Sequence, residues 1–161
     1  MARELYILES DKRWARERIA ALEKEIQELG PEFYDVFNQS SETWHDNAPF
    51  DALRDRQAVL FAELSNLKAI LRDSLPSTPR LKKSTVGIGS VVTLQHGDAT
   101  RQLLIAGDWT PRSGATENNI TVVSSQSPMG VELIGKNLPS ETTRRTIIAI
   151  DSKSEHSYNE P

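Results

Sequence analysis

The chain has 161 residues, a formal net charge of −4, no cysteine, and 37% hydrophobic and 26% charged residues. The absence of cysteine excludes disulfides and thiolate metal sites, and the acidic balance argues against a protein that simply coats nucleic acid, which needs dense Lys and Arg to displace counterions from phosphates. The N-terminal apolar run is too short for a signal peptide and no stretch approaches the ~20 apolar residues of a membrane span, so a soluble cytoplasmic protein with no membrane partner is expected.

Two segments carry helical periodicity. The apolar positions Ala15, Ile19, Leu22, Ile26, Leu29, Phe33 and Val36 are spaced alternately by four and three, which places them on one seam of a helix. Gly30-Pro31 falls inside this series, and because Pro31 removes a backbone donor, a kink or brief interruption is expected there, with two separate helices as the alternative. A second seam runs Phe50, Leu53, Gln57, Leu60, Leu64, Leu67 and Leu71. Between the two lie turn formers, with Asp46 or Asn47 placed to cap the second helix and Pro49 tolerable in its first turn. Two matching seams joined by a short turn predict an antiparallel α-helical hairpin, a coiled coil over residues 1–75. At 1.5 Å per residue, an arm of roughly thirty residues reaches about 45 Å, so a projecting rod is expected.

Residues 76–84 read as a linker, since Pro76 and Pro79 among small polar residues cannot continue a helix. The period then changes. Runs at 90–95, 101–106, 120–124 and 144–151 are short, β-branched or aliphatic, and separated by Gly, Asp, Asn and Pro, the pattern of antiparallel strands. Between the third and fourth, Ser127 is placed as N-cap, Pro128 at the first position and Gly135 near the end of a short helix. The fold class is therefore α+β: a helical hairpin, then a small antiparallel β domain over 85–151 with one short helix, then a polar, frayed tail over 152–161.

Charge is uneven. Residues 1–75 carry a net −5 and residues 76–161 a net +1, and no Lys or Arg occurs between Lys24 and Arg54, an interval that holds Glu25, Glu28, Glu32, Asp35, Glu42, Asp46 and Asp51. On the hairpin reading this is the distal end. Carboxylates concentrated at a tip suit a hard divalent cation such as Mg²⁺, and the bland alternative is a solvated turn.

Two segments resemble the Gre transcript cleavage factors. Asp46-Asn47-Ala48-Pro49-Phe50-Asp51-Ala52-Leu53-Arg54-Asp55-Arg56-Gln57 is similar to the family's tip signature of acid, Asn, Ala, any residue, aromatic, then an Ala-containing stretch ending in Gln. Val86-Gly87-Ile88-Gly89-Ser90-Val91-Val92-Thr93-Leu94, with the run from Ile120 through Ser127-Pro128-Met129-Gly130-Val131-Glu132-Leu133-Ile134-Gly135-Lys136, resembles the family's C-terminal FKBP-like domain, in which Ser-Pro-hydrophobic precedes a helix ending in Leu-hydrophobic-Gly-Lys. The resemblance covers about residues 5–151. It implies a non-enzymatic partner of bacterial RNA polymerase, whose β domain binds the rim of the secondary channel through Ser127, Pro128 and Met129; a monomer is expected because an intramolecular hairpin already satisfies both seams. It further implies that the hairpin enters the channel, that Asp46 and Glu42 help hold a Mg²⁺ shared with the polymerase active site, and that Arg54 and Arg56 face the 3′ end of the nascent RNA. The free protein would hold no metal and no tightly bound cofactor. The polymerase would be the enzyme, with this chain either stimulating cleavage of backtracked RNA or inhibiting by channel occupancy.

The sequence departs from the family pattern at two places. Where the family has a second acid three residues before the first, this chain has Thr43, and Glu42 stands one position off; Trp44 and His45 are unusual neighbours there, Trp44 suited either to stack on a base or to pack against the turn. Residues 137–143 lack the family's Pro-Gly-Gly turn, so a trimmed sheet ending in a single strand is expected. Two other classes are considered. A coiled-coil interaction module would dimerise through its seams. A peptidyl-prolyl isomerase needs an aromatic-lined pocket, whereas from residue 85 on the only aromatics are Trp109 and Tyr158.

Overall fold

The computed structural model describes residues 4–40, 48–137, 140–141 and 146–152. The chain divides into two compact units, Arg13–Arg72 on one hand and Met1–Lys12 with Asp73–Pro161 on the other. The first turn of the first helix thus groups with the sheet.

Both helices form where the 3–4 spacing put them: α1 spans Glu9–Ser40 and α2 spans Ala48–Asp73. α1 runs through Pro31 without a break, so the alternative of two separate helices is set aside. Within the hairpin unit, Leu22, Leu29, Leu60, Leu64 and Leu67 are buried, and Ile19, Ile26, Phe33, Val36, Leu53 and Gln57 are half-buried. The helices are antiparallel, because the first half of α1 contacts the second half of α2 and the second half of α1 contacts the first half of α2. Arg18 pairs with Glu63, Glu23 with Lys68 and Glu32 with Arg56, while Phe33 meets the edge of Phe50 at 5.7 Å. The Arg18 pair is two-pronged, with Nε donating to Glu63 Oε1 at 2.7 Å and Nη2 to Oε2 at 2.8 Å. This fork fixes the relative register of the helices better than a single point contact would.

The second unit is a six-stranded sheet in the order β3-β4-β2-β1-β6-β5. Its strands are β1 Ser90–His96, β2 Ala99–Ile105, β3 Thr116–Glu117, β4 Ile120–Val123, β5 Ser140–Glu141 and β6 Thr146–Ser152, with α3 at Pro128–Leu133 between β4 and β5. Alternation along the strands sends side chains to opposite faces, and both faces are covered. Val92, Leu94, Leu103, Ile105 and Ile147 join Leu133 of α3 and Val86 in one cluster, while Val91, Leu104 and Val122 join Leu8 and Ala106 in the other. Hence β2 ends in an unbroken apolar run, the mark of a strand buried on both sides.

Two expectations are corrected here. The sheet is mixed, because β2 and β4 pair in parallel while the other four pairings are antiparallel. The physical reason is the length of residues 106–119: parallel neighbours need a return of a dozen or more residues, and this segment brings the chain back to the starting end of β2. It closes with the β3–β4 hairpin, where Asn118 and Asn119 both adopt positive φ (49° and 63°), the conformation a two-residue type I′ turn requires and Asn tolerates. Nor does the sheet end in a single strand, since β5 pairs antiparallel with β6 and occupies the edge. Two residues are too few to show a period in sequence.

The segment before α1 is stitched into this unit by its backbone. Leu5 N–H donates to Asp73 O at 3.1 Å and Leu5 O accepts from Leu75 N–H at 2.8 Å; Tyr6 O accepts from Asp108 N–H at 2.6 Å. The approach at Tyr6 is so close that any Cβ on residue 107 would collide with its carbonyl, which is why Gly107 stands there.

Candidate partner-binding site

The Ser127-Pro128-Met129 segment sits on a platform organised by one carboxylate. Asp108 Oδ1 accepts from Ser125 Oγ at 2.7 Å and from Gln126 Nε2 at 2.9 Å, and Oδ2 accepts from Tyr6 N–H at 2.8 Å. Ser125 is buried, so its hydroxyl needs this partner. The 124–126 turn is thereby fixed to the end of β2. From it α3 starts with an N-cap: Ser127 Oγ accepts from Gly130 N–H at 3.1 Å and donates to Ser124 O at 2.6 Å. Gly130 is buried against the Ser124 carbonyl, and a side chain there would clash with that oxygen.

The three residues therefore divide their roles. The Ser127 hydroxyl is committed to the helix start, Met129 is half-buried against the core beside Leu133, and Pro128 is exposed. The sequence reading missed two further exposed apolar side chains, Val131 on this short helix at 65% and Ile134 at its C-cap at 39%. The signal was present: with Ser127 as N-cap, Met129 and Leu133 at i and i+4 claim the inward face, and Pro128, Val131 and Ile134, three apart, are left outward.

On the hairpin, Glu42, Trp44, His45 and Asp46 lie outside the described residues. Arg54 is exposed and belongs to none of the ion pairs found among the described residues, whereas Arg56 is engaged with Glu32 at 3.6 Å. Near them Glu32, Asp35, Val36, Pro49, Leu53 and Arg56 line an open cleft of about 460 Å³, and Tyr34 and Phe37 are about two-thirds exposed (68% and 69%). Among the described residues no group of three or more His, Asp or Glu is placed to hold a metal ion, and no helix is long and apolar enough to cross a membrane.

No family model and no curated protein matches the chain. Among solved structures it is similar to Gre factor homologs. These include GreA factor homolog 1 (Gfh1) of Thermus thermophilus, at 19% identity over 93% of this chain and 100% of that one with a TM-score of 0.40. A structure of the transcription factor Gfh1 matches at 20% identity over 91% and 96% with a TM-score of 0.44. Gfh1 of Thermus aquaticus matches at 19% identity over 92% and 99% with a TM-score of 0.39.

Proposed function

We propose that this chain is a regulator of transcription elongation that acts in the cytoplasm by binding bacterial RNA polymerase as a monomer. The observation that carries the reading is the α3 start. A Ser-Pro-hydrophobic segment resembling that of the Gre factors is held by Asp108 and the Ser127 cap, with Pro128, Val131 and Ile134 facing outward. Small apolar anchors on a fixed backbone suit a protein partner, because little conformational freedom is lost when they are covered. In this reading α3 docks at the rim of the secondary channel and the hairpin enters it. Arg54 and Arg56 then face the nascent RNA, and Glu42 and Asp46 offer carboxylate oxygens to a Mg²⁺ that belongs to the polymerase.

The test is direct binding of the full chain to core polymerase, followed by addition to a stalled, backtracked complex. Shortening of the RNA from its 3′ end identifies a stimulator of cleavage, with Asp46→Ala and Glu42→Ala abolishing it. Slowed elongation without shortening identifies an inhibitor. Absence of polymerase binding at micromolar concentration overturns the reading.

A further inference from the structure

On the hairpin, Arg18, Lys24, Arg56 and Lys68 are in ion pairs and Arg54 is in none among the described residues, while beyond β2 Arg112 is paired with Asp11. Ahead of the sheet, Arg80, Lys82 and Lys83 are exposed and none has an ion-pair partner among the described residues. Three cations within four positions repel one another and gain nothing from each other in the free protein.

Their backbone is shaped as well. Thr85 N–H donates to Lys82 O at 3.3 Å, closing a turn over Lys83 and Ser84, and Ser84 takes φ 61°, a left-handed conformation that a serine adopts at some expense. The turn is tied to the sheet unit from its far side, with Thr85 Oγ1 donating to Asn137 Oδ1 at 2.6 Å and Val86 N–H to Lys136 O at 2.9 Å. Lys82 and Lys83 thereby stand at an open groove of about 360 Å³ whose other polar lining is Ser84, Thr85, Ser90 and Asp151. Among the described residues Asp151 is the one carboxylate of that lining, against two lysines in it and Arg80 near it in sequence.

We infer that the Arg80–Ser84 segment and its groove bind the phosphodiester backbone of nucleic acid. Lysines beside an exposed serine hydroxyl, here Ser84, are side chains that contact phosphate oxygens. A docking surface for an acidic protein is the less apt reading, because protein interfaces are depleted in Lys. Among the described residues the groove has no aromatic lining residue on which a base could stack, so the contact is to the backbone and independent of sequence. In a chain of net −4 this contact is local, and it is independent of polymerase binding through α3.

The experiment is fluorescence anisotropy of the full chain with a labelled DNA duplex of arbitrary sequence, without polymerase, over a salt series. For three phosphates neutralised, log K should fall against log salt with a slope of about −2.7, so that affinity drops about forty-fold between 50 and 200 mM salt. The triple variant Arg80→Gln, Lys82→Gln, Lys83→Gln should lose that binding while keeping its far-ultraviolet circular dichroism and melting temperature. Lys82→Arg with Lys83→Arg should retain it, and Lys24→Gln on the hairpin should leave it unchanged. No binding at low salt, binding that survives the triple variant, or preference for polyglutamate over the duplex would each overturn the inference.

Discussion

Arg112 and Asp11, 101 residues apart, meet side chain to side chain, with Arg112 Nε and Nη2 each 2.9 Å from Asp11 Oδ1. Asp11 is fully buried, and its second oxygen accepts no hydrogen bond from the described residues. Burial pushes its carboxyl above the usual value, and the Arg112 guanidinium opposes that shift without cancelling it. The folded protein therefore holds this proton to a higher pH than the unfolded chain. Stability contributed at this site is full below about 3.8, the ordinary value, and declines as pH rises through the raised one. Denaturant midpoints measured across the acid range should show this downward component in the wild type and lack it in Asp11→Asn. Parallel profiles for the two proteins would refute it.

Removing the other partner has a different signature. Arg112→Ala leaves a buried carboxylate without its cation and should destabilise by about 3 kcal/mol. The loss should be smaller in an Asp11→Asn background, and equal losses in both backgrounds in a double-mutant cycle would show that the two side chains do not act together.

The α3 platform separates folding from recognition. Ser127→Ala removes the cap and should reduce stability by about 1 kcal/mol. Gly130→Ala drives a Cβ into the Ser124 carbonyl, a small-to-large change with a loss of about 2 kcal/mol expected. Val131→Glu touches no core and should leave the melting temperature unchanged, yet it should weaken polymerase binding at least tenfold. If Val131→Glu binds as the wild type does, α3 is not the docking face.

In the hairpin, Leu64→Ala empties a buried seam position and should cost about 3 kcal/mol, read by chemical denaturation. The Arg18–Glu63 fork is part-exposed, so its coupling should stay below about 1 kcal/mol and shrink with salt. Its hydrogen bonds hold the Glu63 carboxyl below the ordinary value of 4.5. The contribution is therefore present above that value and lost as pH falls through the depressed one. A coupling that persists in acid would contradict this.

The helical seams were legible because a helix repeats its buried face every three to four residues, and thirty residues of repetition outweigh single exceptions such as Pro31 and Gln57. The longer strands and the Ser127 cap were legible for the same reason, each being a local preference with a local cause. Asp11 was not, since in sequence it is an ordinary acid in the first turn of a helix, and only the arrival of Arg112 from beyond β2 makes its burial tolerable. The same holds for Val131 and Ile134. Their outward face exists because Met129 and Leu133 find a core.

What the sequence by itself determined is the hairpin, the β-rich second half, the α3 start and the uneven charge, all set by period, capping and composition within a few turns of chain. Tertiary structure alone decided the parallel β2–β4 pairing, the two-residue strands β3 and β5, the grouping of the N-terminal segment with the sheet, and which cations find an ion-pair partner among the described residues. Those outcomes depend on groups far apart along the chain competing for the same hydrogen bonds and counter-charges, and a local pattern carries no record of who wins.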